Sequence, residues 1–568
     1  MSFVPEERVW SRRIADELWS GVVTPLSFTM LADPMAEHLV RRRLENAGLV
    51  ALSREPVFRL SSSHVYVNAS LIADVMAEVP NVFLSDGLLD LLPAPLREPL
   101  RTRARSVLSV SLAVILARLG LHETAWMPWA RADLFRDAAS RIAADLAALA
   151  PAGSASDAAL ADAIERVRGR LGSFLEVVSW GMIHAYVFFH LTGELIARWA
   201  PDLDAAATMS ELTMGLGGIR TFEVHDEVLA CAALARADES LRRDLAADPH
   251  GVADSCVAGA PGAFADGIRT ILARHGHRFV ARDLSQPTWR EQPAVVVEMV
   301  RKLLDSGTRE SPEGRRAKRR EAVRRTGERI ATGLGGTVKR LAFERVLGFC
   351  EQYYVLRENM RYHADLFLAA LRFLALAAAE RLTAAGAIDR IDDVFFLQVD
   401  EVHSQLVGTG EEPRALAQRA SARRAEHVRC AAVDPPECLF GDDGAALVAA
   451  EPAADLHDRS RSGGALSGVG VSPGITTGTV RVVRSLDELQ DLEAGEVVVA
   501  AATDPSWTSM LALAGAIVLE MGGPLSHGAI VARELAIPAV VNVANATREL
   551  ASGELVVVDG GRGSIRRA

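Results

Sequence analysis

The run Gly522-Gly523-Pro524-Leu525-Ser526-His527-Gly528-Ala529-Ile530-Val531-Ala532-Arg533-Glu534 gathers residues able to do chemistry. Two adjacent glycines permit a sharp turn and present bare N–H groups. Ser526 suits an N-cap, which puts His527 in the first turn of the helix that follows. Free N–H groups and the helix dipole stabilise anions at that position. A neutral imidazole is nucleophilic near pH 7 and forms covalent intermediates. A phosphoryl group on a His527 ring nitrogen is the adduct such a turn favours, with Gly522, Gly523, Ser526 and Gly528 as its cradle.

A receiving site for a phosphoryl group needs cations on the transferring oxygens and a group that positions or deprotonates the hydroxyl. Arg357 and Arg361 lie one helical turn apart on one face and meet the first need; the same spacing also suits an ordinary salt-bridged surface pair. His277, with Arg278 beside it, is the candidate for the second, the alternative being a core knot of His277, Arg278 and Asp283. Glu223, His225 and Asp226 in TFEVHDE read as acids at a helix start rather than as a metal site. Five cysteines, irregularly spaced and without a CxxC pair, give neither a disulfide framework nor a zinc site. No metal is expected.

The elements that must position these residues fall into two textures. Residues 1 to about 450 read as mostly helical, with apolar residues recurring at three and four over 100–119, 136–149, 157–199 and 356–385; Gly386 suits the C-cap of the last. Val57–Val67 and Asp393–Leu397 read as extended. Ser306–Arg320 and Ala453–Gly468 read as exposed connections. After about residue 468, short β-branched runs at 478–483, 496–500, 516–519, 539–541 and 555–558 alternate with helical stretches at 506–514 and 527–535, a small α/β domain. The fold class is therefore multidomain: a large, mainly α-helical domain over 1–452, a flexible linker over 453–467, and a small α/β domain over 468–568. The linker has an r.m.s. reach of roughly 20–24 Å.

SPGITTGTVRVV (Ser472–Val483), Asp504-Pro505-Ser506-Trp507-Thr508, the GGPLSHGAIVARE run and VVVDGGRGSI (Val556–Ile565) together resemble the mobile, swivelling phosphohistidine domain of phosphoenolpyruvate-utilising enzymes. WSGVVTPLSFTM (Trp19–Met30), SHVYVNA (Ser63–Ala69), Gly276-His277-Arg278, Asp283-Leu284, Pro287–Glu291, Arg357-Glu358-Asn359 and DDVFFL (Asp392–Leu397) resemble the substrate-binding domain of rifampicin phosphotransferase-like proteins. The resemblance implies that the mainly α-helical domain over 1–452 is a two-lobed acceptor and substrate-binding domain, that His527 is the phosphorylated histidine, that Arg533 lies near the phosphate, and that Arg361 stands where the family carries lysine, keeping charge but changing geometry. It implies a phosphotransferase that binds no cofactor tightly. His527 would be charged by a separate ATP-grasp partner, which uses ATP and Mg, because the acceptor-domain motif starts at about Trp19. The phosphoryl group would pass to a hydroxyl of a small, largely apolar molecule. A condensing or ligase component using transient phosphate activation and a non-catalytic ligand-binding homologue are the alternatives.

Composition agrees with that assignment. The net charge of −11 over 568 residues opposes nucleic-acid binding. Only Lys302, Lys318 and Lys339 among 62 basic residues are lysines, which leaves little to hold nucleotide phosphates. The runs Ala185–Leu191 and Leu366–Ala379 fall short of the ~18 residues that span a bilayer, and the N-terminus has no signal-like apolar core. No membrane association and a cytoplasmic location are expected.

Overall fold

The computed structural model describes residues 7–13, 15, 19, 21–46, 48–78, 89, 92–102, 136–137, 140–142, 156–304, 312–333, 335–433, 435–441, 465–484 and 486–568. The expected helices over 103–119 and 143–149 lie outside these residues, as does the linker as far as residue 464. The chain forms two compact units. One takes residues 1–182, 282–286 and 363–451; the other takes 183–281, 287–362 and 452–568. A large helical region over 157–431 precedes a C-terminal mixed α/β domain.

In the first unit, strands β1 (Val9–Ser11), β2 (Phe58–Ser61), β3 (His64–Asn68) and β4 (Cys438–Phe440) form an antiparallel sheet in the order β2-β3-β1-β4. The helix Pro25–Met35 begins at Thr24, whose N–H donates to Asp283 Oδ2 at 2.8 Å. Ser27 Oγ accepts from Leu284 N–H at 2.8 Å, and Arg372 Nη1 donates to the Leu284 carbonyl at 2.6 Å. Asp283 and Leu284 are thereby anchored in the interior of this unit, with Asp283 fixing the start of the helix Pro25–Met35.

Two long helices, Asp157–Trp199 and Gly336–Ala384, each contribute residues to both units. Their aromatic faces meet at Phe174–Phe367 (5.0 Å between centroids) and again at Phe188–Phe349 (5.1 Å). The second helix starts some twenty residues before the expected Leu356 and ends as expected before Gly386, which has φ +70°. By length and composition the helix Asp157–Trp199 is apolar enough to cross a membrane, which the shorter runs picked from sequence did not suggest. Of its most apolar window 44% is buried inside the protein.

Two sequence expectations are corrected. Residues 312–320 are not a connection but the start of the helix Pro312–Ile330. Charged residues dominate it and form exposed pairs, Arg324 with Glu321 and Glu328 along the helix, Arg325 with Glu211, and Arg329 with Asp202, while Ala322, Thr326 and Ile330 are buried. Asp393–Leu397 is not extended either. Ile391–Phe396 is a 3₁₀ turn in which Asp393 accepts from Arg390 N–H at 3.1 Å and pairs with Arg424 at 2.9 Å.

In the second unit, strands β5 (Ala465–Ser467), β6 (Val469–Ser472), β7 (Ile475–Val482), β8 (Val497–Ala500), β9 (Ala516–Leu519), β10 (Ala539–Val541), β11 (Leu555–Asp559) and β12 (Ser564–Arg567) form one sheet. Its order is β5-β12-β11-β7-β8-β9-β10-β6. The three residues of β5 lie within the expected linker 453–467 but are a strand of this sheet. The pairs β7–β8, β8–β9 and β9–β10 are parallel and the rest antiparallel. β8, β9 and β10 are buried throughout, as parallel strands covered on both faces must be.

Only Gly468 separates β5 on one edge from β6 on the other. A flat eight-stranded sheet would be about 34 Å wide, and one residue spans at most ~3.6 Å. The sheet therefore rolls until its edges meet. Gly468 N–H donates to the Gly563 carbonyl at 2.8 Å, sealing the seam. A Cβ at Gly468 would sit 2.4 Å from the Val541 carbonyl oxygen, and one at Gly563 would sit 2.4 Å from that of Gly468.

Candidate functional site

The β8–β9 and β9–β10 crossovers set the site. Loop and helix residues following β8 place Thr508, while β9 leads through the Gly-Gly turn into the helix His527–Glu534 and on to β10. The histidine thus stands at the carboxyl ends of parallel strands, where open α/β sheets place their ligands. Gly522 has φ +125°, a conformation that costs a side chain dearly. Ser526 caps the helix through Oγ, accepting from Ala529 N–H at 3.4 Å. Gly528 lets the helix approach β9, since a Cβ there would lie 2.4 Å from Leu519 Cδ1 and 2.9 Å from Thr503 Oγ1.

His527 is buried, at 2% exposure. Its Nδ1 lies 2.6 Å from Glu358 Oε1, and its Nε2 lies 3.4 Å from Thr508 Oγ1. Glu358 projects from the helix Gly336–Ala384 and is fully buried. Its second oxygen is 3.9 Å from Arg357 Nη1. Burial alone would raise the Glu358 pKa, but His527, Arg361 and Arg357 outweigh it and hold the carboxyl down at about 2. A carboxylate that stays ionised can only accept, so Nδ1 carries the proton and Nε2 is the nitrogen left for bond formation.

The candidates read from sequence separate into groups. Arg357 and Arg361 flank Glu358, as their shared influence on it shows. Arg357 also lies over the Tyr186 ring, 5.9 Å from its centroid. Arg533 is buried, and its guanidinium is engaged by Val471, Tyr354 and Pro524 rather than by the imidazole ring. Its Nη2 bonds the Pro524 carbonyl and donates to Tyr354 OH at 3.0 Å, clamping the glycine turn to the long helix. His277 packs edge-on against Tyr362 at 4.8 Å, and Arg278 lies over the Trp289 and Tyr362 rings. Tyr362 stands one turn beyond Glu358, which brings this pair to the helix face that carries Glu358. Glu223 pairs with Arg220 in the first turn of the helix Arg220–Arg236, and His225 is buried within it. Asp504 accepts from Ser506 N–H at 2.9 Å and shapes the turn before Thr508. Among the described residues no group of three or more His, Cys, Asp or Glu side chains is placed to hold a metal.

Sequence reasoning missed two carboxylates. Glu358 was visible only as the middle of Arg357-Glu358-Asn359. Glu534, the last residue of the His527 helix, accepts from Leu216 N–H at 3.0 Å. Burial first of all pushes its pKa up to about 7, against the hydrogen bonds from Leu216 and Gly215 and the charges of Arg315 and Arg533. Leu525 and Ile530 pack with Leu216, Ile219 and Tyr354 around the same junction.

Residues 492–563 match the PEP-utilising enzyme mobile domain, and residues 173–358 match the rifampicin phosphotransferase fourth domain. His527 falls in the first match, and Arg357 and Glu358 close the second. A rifampicin phosphotransferase of Streptomyces sviceus is 33% identical over 320 residues, 53% of this chain and 34% of that protein. One from a Streptomyces species is 31% identical over 384 residues, 65% of this chain and 42% of that protein. The uncharacterized protein Rv2047c of Mycobacterium tuberculosis is 40% identical over 195 residues, 34% of this chain and 21% of that protein. These matches span between about a fifth and two fifths of the length of the relatives. The chain thus carries a PEP-utilising mobile domain together with a rifampicin phosphotransferase fourth domain, and is homologous to rifampicin phosphotransferases over about half its length.

Proposed function

We propose that this chain carries a phosphoryl group on Nε2 of His527 and delivers it to a hydroxyl of a small, largely apolar molecule held by the helical region. The observation that carries this reading is the placement of His527. It is a buried imidazole at a helix N-terminus, with Nδ1 occupied by Glu358 and two arginines beside that carboxylate. Phosphoryl transfer passes through a loose transition state, so catalysis is mostly positioning and charge. Arg357 and Arg361 supply the cations, in an otherwise acidic protein. Tyr186, Phe189 and Phe222, partly buried beside Leu525 and Ile530, suit an apolar acceptor. His277 orients the hydroxyl from its seat on Tyr362.

In this reading the donor is a separate ATP-grasp partner working with ATP and Mg, in keeping with a chain that has three lysines. The test is incubation of the chain with ATP, Mg and candidate ATP-grasp proteins, followed by mass spectrometry of acid-labile phosphate. Label on His527 that vanishes in His527→Asn is the expected result. Absence of label with every partner, or equal label on the variant, ends this reading.

A further inference from the structure

A buried carboxylate is an unexpected neighbour for a phosphate carrier, because its charge repels the group being carried. Its contact, however, is with the far nitrogen of the ring. We propose that Glu358 sets the proton of phosphorylated His527: by holding Nδ1–H while the phosphoryl group sits on Nε2, it keeps the ring an imidazolium and loosens the P–N bond when the ring is docked on the helix Gly336–Ala384. The proposal rests on the reading of His527 as a carrier.

The geometry supports each part. The 2.6 Å contact joins groups of 2% and 0% side-chain exposure, where an ion pair is screened least. Which ring nitrogen keeps its proton is decided by the hydrogen bond made at the other position. Thr508 Oγ1 is the neighbour of Nε2. Glu358, Arg357 and Arg361 are the charged groups that face the pair from the long helix. On the carrier side, Arg533 is engaged with Pro524 and Tyr354, and Glu534 with Leu216.

The chemistry follows from the leaving group. With Nδ1 unprotonated, breaking P–Nε2 would leave an imidazolide anion, a poor leaving group. With Nδ1–H retained, the electron pair of the P–N bond stays on a neutral imidazole. The acceptor oxygen forms the new O–P bond, and its proton passes to the vacated Nε2 lone pair. The product is a phosphate ester and an imidazolium paired with Glu358. Away from the helix the ring has no carboxylate, so the phosphoryl group is kept until it reaches the acceptor. Glu358 is thus a positioning residue acting through His527.

The test uses the full chain and potassium phosphoramidate, a small donor that needs no partner. Phosphorus NMR follows the ring titration of phosphorylated His527 with pH. The wild-type midpoint is expected at least about one pH unit above that of Glu358→Gln, a tenfold change in proton affinity. Glu358→Asp, which keeps the charge, is expected to recover part of that shift. Coincident midpoints in wild type and Glu358→Gln overturn the proposal. If the variant does not fold, ring-nitrogen NMR of the wild type decides alone: an Nδ1 proton signal that survives phosphorylation at about pH 8 supports the proposal, and its loss overturns it. Failure of phosphoramidate to label wild-type His527 sinks the carrier reading itself and this inference with it.

Discussion

His527 and Glu358 come from positions 169 residues apart and meet as a buried pair. Removing one member of such a pair strands the other, so single alanine substitutions measure docking as well as chemistry. A double-mutant cycle over His527→Ala and Glu358→Ala should return a coupling of about 1–3 kcal/mol in denaturant midpoints. Additive losses would mean that the contact carries no energy. His527→Asn, whose amide can still donate toward Glu358, is the better chemically dead control and should lose less stability than His527→Ala. His527 was legible in sequence because a glycine turn, a cap and a nucleophile sit within a few residues. Glu358 was not, because charge logic selects arginines for a phosphate site and passes over the acid between them. The surrounding charges were the available signal: a Glu flanked by arginines on a helix face that turns out to be buried.

The elements around the histidine impose their own tolerances. Gly528→Ala should destabilise the chain by about 1–3 kcal/mol through overpacking against Leu519 and Thr503; an unchanged unfolding midpoint would show that the helix can shift to admit a methyl group. The short buried strands and the helices Asp157–Trp199 and His527–Glu534 were legible because their periodicity or apolar runs are clear. The helix Pro312–Ile330 was not, since charged residues dominate its sequence and mask the sparse buried positions Ala322, Thr326 and Ile330. The 3₁₀ turn Ile391–Phe396 was hidden too: Val394, Phe395 and Phe396 are all buried, and a short apolar run fits a strand as well as a turn.

For the molecule as a whole, two buried acids at the junction of the α/β domain with its helical neighbours respond to pH in different windows. Glu358 is depressed below its ordinary value, so its contribution is present above about pH 4.5 and lost as pH falls toward about 2. Glu534 is raised, so its contribution is present below about pH 4.5 and lost as pH rises through about 7. Glu534→Gln keeps an acceptor for Leu216 without the charge. It should match wild type near pH 4.5 and exceed it by about 1–3 kcal/mol at pH 8, read from thermal or denaturant midpoints. A constant difference across that range would show that Glu534 does not titrate at the junction.

The seam at Gly468 has a consequence of another kind. The edge strands β5 and β6 are only three and four residues long and run into one another through Gly468, so the sheet keeps little unpaired backbone row, and an unpaired row is what recruits other chains into growing fibrils. A domain that parts from its neighbours during a work cycle would otherwise bare such a row each time. Gly468→Val forces a side chain against the Val541 carbonyl and opens the roll. Its first symptom should be concentration-dependent aggregation in light scattering, with His527 still accepting phosphate in the soluble fraction. The glycines that look like packing details would then be the protein's protection against itself.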